Sequence, residues 1–208
     1  MRKYARLSLV AGASLAVVGG AMVAAPSMAA PGGGECTLHG TAVFNPGPAA
    51  DPAGVFKYKF SGDLSNCGDS TGGPAGFGTV TGQISAGEVI TIGGVQYQEP
   101  TATGTGSCAT GTTAGTAIVH WSDGQDTVID YTTTSAAAGV ALQGNAAPSI
   151  TLHAVDPTQP DTTITTTKYV GAGAAGLLAF EVSDPTQCTA GGVTSAGIDG
   201  VTGLGTTS

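Results

Sequence analysis

The sequence predicts an all-β protein, an antiparallel β-sandwich or barrel of about ten short strands held by two disulfides. Three observations predict it. Residues 55–60 alternate strictly, with Phe56, Tyr58 and Phe60 on one side and Lys57 and Lys59 on the other. A period of two puts one face in a core and the other in water. Turn signals recur at short intervals, at Asn45-Pro46-Gly47, Asp51-Pro52, Gly93-Gly94, Asp156-Pro157 and Asp184-Pro185, with no amphipathic helix between them. Without helices there are no crossovers to build a parallel α/β sheet. Finally, Cys36, Cys67, Cys108 and Cys188 make an even number in a chain that carries an export signal, the pattern of a disulfide framework.

The elements follow in chain order. Residues 1–29 read as a secretory signal peptide. Arg2, Lys3 and Arg6 precede a run of Leu, Val, Ala and Gly, Pro26 breaks it, and Ser27 and Ala29 place small residues at −3 and −1. Cleavage is expected after Ala29, because a cut after Ala30 would leave Pro31 at +1. An uncleaved membrane anchor is the alternative, but Gly19-Gly20 and the short apolar core favour cleavage. Residues 30–35 form a flexible Gly-rich leader, and residues 36–188 a single β-sandwich domain. Strands are expected at 37–44, 55–60, 78–84, 101–108 and 139–143. Residues 88–97 predict a hairpin around Gly93-Gly94, a turn suited to positive φ. A second hairpin joins 117–121 to 127–131, with Ala117, Val119 and Trp121 on one face. A third joins 162–170 to 176–183, with Leu178, Phe180 and Val182 towards the core. Residues 189–208, rich in Gly and Thr, supply an edge strand at 198–204 or remain a tail.

Four cysteines allow three pairings. Cys36–Cys67 and Cys108–Cys188 are favoured, the first closing a local loop and the second tying a late strand to the middle of the chain. A zinc site is disfavoured because no C-x-x-C pair occurs and no His stands four residues from a Cys.

Charge excludes whole classes of partner. With residues 1–29 removed, the basic side chains are Lys57, Lys59 and Lys168 against fourteen acids, a net charge of −11. Such a chain cannot neutralise a phosphate backbone, and anionic lipid repels it. No run after the signal approaches a membrane span. Nucleic acid and membrane are therefore not expected partners.

The motifs that resemble catalytic ones lack their context. Gly68-Asp69-Ser70-Thr71-Gly72 matches the nucleophile-elbow pattern, but Gly73-Pro74 cannot open the helix that the elbow needs. The same stretch is superficially similar to the nucleophile segment of trypsin-like proteases. It departs from that family by an inserted Thr71 and by its place early in the chain, after one histidine, His39. His39, His120 and His153 are isolated, with no H-x-H or H-E-x-x-H spacing. Asp123 and Asp126 share a turn, but without EF-hand spacing they read as an ordinary polar turn. No metal and no cofactor is expected.

The signal, the Gly/Thr/Ala bias and the stretch Gly-Thr-x-x-Gly-Thr-Ala-x-x-x-Trp-x-x-Gly at residues 111–124 resemble uncharacterised secreted proteins of actinobacteria. That resemblance implies no activity. The enediyne-binding apoproteins of the same group are similar in class, being acidic, two-disulfide β proteins. The expected role is a secreted, non-catalytic protein that binds cell-wall glycan, a surface protein or a small apolar ligand. Trp121, Tyr97 and Tyr131 are the aromatics expected to touch it. The alternatives are a secreted protease inhibitor and a serine hydrolase using Ser70.

Overall fold

The computed structural model describes residues 34–50, 54–69, 80–136, 139–182 and 184–205. The expected signal segment and Ser70 lie outside the described residues. The elements are β1 (Gly34–Asn45), β2 (Gly54–Asp69), β3 (Val80–Ala86), β4 (Val89–Ile92), β5 (Val95–Gln98), β6 (Ala102–Gly106), β7 (Thr110–Trp121), β8 (Asp126–Ala136), β9 (Gly139–Ala147), β10 (Ser149–Ala154), β11 (Thr162–Thr165), β12 (Gly173–Glu181), α1 (Gln187–Ala190) and β13 (Ser195–Gly205). The alternation at 55–60 lies in β2, with Phe56 and Tyr58 buried and Lys57 and Lys59 exposed.

Eight strands close into a ring in chain order: β1, β2, β3, β7, β8, β9, β12, β13 and back to β1. Every pairing in the structure is antiparallel. One place in the ring is divided. β3 pairs with residues 60–67 of β2 and residues 118–121 of β7. β6 pairs with the other ends of the same two strands. The β4–β5 hairpin leaves the ring between them. A second excursion, β10–β11, leaves between β9 and β12, and the two join as one small sheet in the order β11-β10-β5-β4.

Several expectations are corrected here. The antiparallel all-β class is as expected, and of sandwich or barrel the structure is a closed barrel with a small sheet on its outside; the single sandwich domain is corrected to that barrel, and the described residues hold thirteen strands rather than about ten. The expected pair 162–170 and 176–183 does not form. β11 joins the small sheet beside β10, while β12 pairs with β9 and β13. The segment 198–204 is no edge. It belongs to β13, bonded on one side to β12 and on the other to β1, where Gly34 opposes Leu204. Gly34 and Glu35, read as leader, already belong to β1. The favoured cysteine pairing is the one that forms, Cys36–Cys67 and Cys108–Cys188.

The small sheet explains why Ala117, Ile118 and Val119 of β7 are apolar on both faces of the strand. Ala117, Val119 and Trp121 point into the barrel, while Ile118 points outward. There Ile118 packs with Val128 of β8 and with Tyr97, Leu152 and Ile164 of the small sheet. Each core therefore uses one face of the same two strands.

Inside the barrel, large rings lie against glycines. Cβ atoms built at Gly40, Gly104 and Gly82 would come within 2.6 Å of Phe60, 2.3 Å of Phe56 and 3.1 Å of Trp121. All three glycines occupy inward positions on neighbouring strands. An eight-stranded barrel is only wide enough for side chains to fill it, so small and large residues must alternate across it.

Gly200 gives the sharpest test of this packing. A Cβ there would lie 2.2 Å from the Leu177 carbonyl oxygen and 2.8 Å from the Leu178 Cα, both backbone atoms. Gly200→Ala should destabilise the fold by about 2 kcal/mol or more. At Gly54 a Cβ meets nothing within 4 Å, and Gly54→Ala should stay within about 0.5 kcal/mol of wild type. Urea midpoints of the two variants check this; equal losses would contradict the packing described.

Candidate functional site

The barrel encloses an apolar cavity of about 140 Å³. β1 and β2 supply Leu38, Phe44, Phe56 and Leu64, and the opposite wall supplies Val140, Leu142, Leu178 and Phe180. Phe44 stands edge-on to Phe56 and to Phe180, at 5.7 and 5.9 Å between ring centres. No charged side chain lines the cavity among the described residues.

Side chains and loop backbone pack at both ends of the barrel. At one end Trp121 meets Tyr169 edge-on at 5.4 Å. The Trp121 Nε1–H donates to Thr127 Oγ1 at 2.8 Å, and that hydroxyl donates to the Lys168 carbonyl at 2.8 Å. The Lys168 ammonium lies 5.6 Å from both ring centres and binds Asp123 at 2.6 Å, which holds the Asp123 carboxyl below its ordinary range. At the other end the Cys108–Cys188 bridge ties the β6–β7 turn to α1. Residues 48–50 are laced between them by Cys108 N–H to the Ala49 carbonyl, Ala50 N–H to the Cys188 carbonyl and Val193 N–H to the Pro48 carbonyl. Pro48, Ser107 and Cys108 line the cavity at that end.

One chain of polar groups crosses the apolar interior. The hydroxyls of Tyr131 and Tyr58 are 2.6 Å apart, those of Tyr58 and Thr113 3.0 Å, and those of Thr113 and Thr133 2.7 Å. All four residues line the cavity. Burial raises the pKa of Tyr58, although its hydrogen bonds with Thr113 and Tyr131 act against it. Burial raises Tyr131 further, with Tyr58 adding to it. Both phenols are thus neutral near pH 7, and each keeps its proton to donate.

The three aromatics singled out from the sequence do not gather. Tyr131, 9% exposed, lines the cavity; Trp121, 4% exposed, covers one end of the barrel; Tyr97, 6% exposed, lies in the second core under the small sheet. Sequence reasoning missed Thr113 and Thr133, whose signal was available. Thr113 shares the inward parity of Ala117 and Trp121, and Thr133 that of Ile129 and Tyr131.

The outer wall has a polar cleft between the barrel and β4. A single cross-strand row runs Asp199, His39, Asp63, Gln83, His120 and Asp126. Asp199 bonds the His39 Nδ1 and raises the pKa of that ring. Asp126 bonds the His120 Nδ1 at 2.6 Å, and Asp161 bonds the His153 Nδ1 at 2.8 Å. Ser85, also in the cleft, donates its hydroxyl to Glu99 Oε1 at 2.6 Å. Among the described residues no three metal-ligating side chains converge.

Comparison with family models, with curated proteins and with solved structures finds no match to this chain.

Glu99 stands where the chain leaves and re-enters the ring. It is 1% exposed, and besides Ser85 it accepts the Glu88 N–H at 3.0 Å. Burial raises its pKa, opposed by those two bonds. A carboxyl with a raised folded pKa contributes stability that is present below its unfolded pKa and lost as pH rises through the folded one. Relative to Glu99→Gln, the wild type should therefore gain stability as pH falls from 7 towards 4.5. Paired urea titrations at pH 7, 6, 5 and 4.5 measure this, and a wild-type advantage that grows with rising pH would refute it.

Proposed function

We propose that the protein is a secreted, non-catalytic carrier that encloses a small apolar molecule within its barrel. The observation that carries this reading is the apolar cavity of about 140 Å³ inside the barrel. A well-packed core leaves few voids larger than a water molecule. An engineered apolar cavity of similar size, about 150 Å³, stays dry and takes up benzene.

The rest of the molecule agrees with an enclosed ligand. Stacking on an extended glycan needs aromatic faces at the surface, whereas Trp121, Tyr97 and Tyr131 are all buried. The barrel exterior carries Lys57, Lys59, Asp63 and His39 on exposed positions of β1 and β2. A membrane-spanning barrel has the reverse order, apolar outside and polar within. Two disulfides suit an oxidising compartment.

Titration with toluene should give saturable binding. At a toluene concentration a hundred times its Kd, linkage adds about 2.7 kcal/mol, which raises the melting temperature by roughly 5–10 °C for a chain of this size. Ala42→Leu places a larger side chain at a buried cavity-lining position and should weaken toluene at least about tenfold. Absence of any shift with toluene, benzene and cyclohexane would overturn the proposal.

A further inference from the structure

The polar chain inside the cavity has an uneven proton count. Four hydroxyls carry four protons, and the three bonds between them use three. A phenol is the stronger donor and an aliphatic hydroxyl oxygen the stronger acceptor. The favoured direction therefore runs from Tyr131 to Tyr58, from Tyr58 to Thr113 and from Thr113 to Thr133. The proton left over is that of Thr133. Thr133 is half-buried at the cavity wall, and once a ligand shuts water out of that wall a donor without an acceptor costs free energy, so the polar end of the cavity is matched by a molecule that brings an acceptor.

Charge narrows the class further. With no charged side chain in the lining, a carboxylate or an ammonium ion would be buried without a counter-charge, at a cost of several kcal/mol. We infer that the enclosed ligand is an uncharged, ring-sized molecule carrying one carbonyl-type oxygen, and that the Thr133 hydroxyl donates to that oxygen. This inference rests on the enclosed-ligand function proposed above and adds the chemistry of its polar end. Ser107, Ser135 and Thr202 are further hydroxyl residues of the lining. Ser107 Oγ accepts the N–H groups of Ala109 and Thr110 and Ser135 Oγ donates to the Gly111 carbonyl at 3.3 Å, so Thr202 provides the control.

The test compares cyclohexanone with methylenecyclohexane, which share a shape but differ in C=O against C=CH2. Dissociation constants come from NMR titration of wild type, Thr133→Val, Thr133→Ser and Thr202→Val. Thr133→Val should weaken cyclohexanone roughly five- to tenfold, the worth of one buried hydrogen bond, and leave methylenecyclohexane within about twofold. Thr133→Ser keeps a hydroxyl and should recover most of the loss, which separates the lost donor from a folding defect. If both compounds bind wild type and Thr133→Val moves them equally or not at all, the assignment of Thr133 fails while the enclosed-ligand function stands. Selective loss in Thr202→Val instead would overturn it in the same way. If neither compound nor toluene binds wild type, the enclosed-ligand function falls with it.

Discussion

The contact of aromatic rings with glycine backbone inside the barrel is the constraint on which the rest of the structure depends. Eight strands set a diameter that cannot accept a large side chain at every inward position. Phe60 over Gly40, Phe56 over Gly104 and Trp121 over Gly82 solve this by placing each ring where the adjacent strand has no side chain. The rings are thereby held against the wall, and the middle of the barrel is left to the cavity and to the hydroxyl chain from Tyr131 to Thr133. A sequence with alanine or valine at those glycines would have to widen the ring or expel the rings from it.

The second constraint is the divided place shared by β3 and β6. Because neither spans the whole wall, the chain can leave the barrel there, build β4 and β5, and return. Those strands meet β10 and β11 over Ile118 and Val128, which turns an outer face of the barrel into a second core. Glu99 sits where the chain returns to the ring and reaches back to the departing segment, its carboxylate accepting the Glu88 N–H and the Ser85 hydroxyl. A buried carboxyl is costly, and here it satisfies a backbone donor at the place where ladder pairing is interrupted.

Much of the strand content was legible from the sequence, because period-two patterns and turn residues are local. The alternation at 55–60, the Gly93-Gly94 hairpin and the hairpin through 122–126 all depend on neighbours within a few residues, and all are present. Closure was not legible, since it is decided by pairing between β1 and β13, distant in the chain. The tight packing at glycines was hidden for a related reason. Gly40, Gly62 and Gly200 lie inside strands, and the backbone or ring that fills the space of a side chain there belongs to the neighbouring strand. At the candidate site, Tyr131 was legible as an aromatic, but its partner hydroxyls come from β2 and β7 and converge only when the ring is formed. Trp121 and Tyr97 look alike in sequence terms, yet they lie in different cores, because the small sheet is assembled from two insertions far apart in the chain.

The pairing of β13 with β1 also imposes an order in time. A chain made from its N-terminus presents β1 and β2 early, with one side of β1 still open and the inward faces of Leu38, Phe44 and Phe56 uncovered. The hairpins from β7 to β9 can form as they emerge, but each adds only to an open, curling sheet. The last of the described strands converts that sheet into a vessel, so every earlier intermediate carries two bare edges and an exposed apolar trough. Such a chain depends on being kept apart from its own copies until residues 195–205 have been made. Pairing between strands so far apart in the chain is slow relative to the closing of a hairpin.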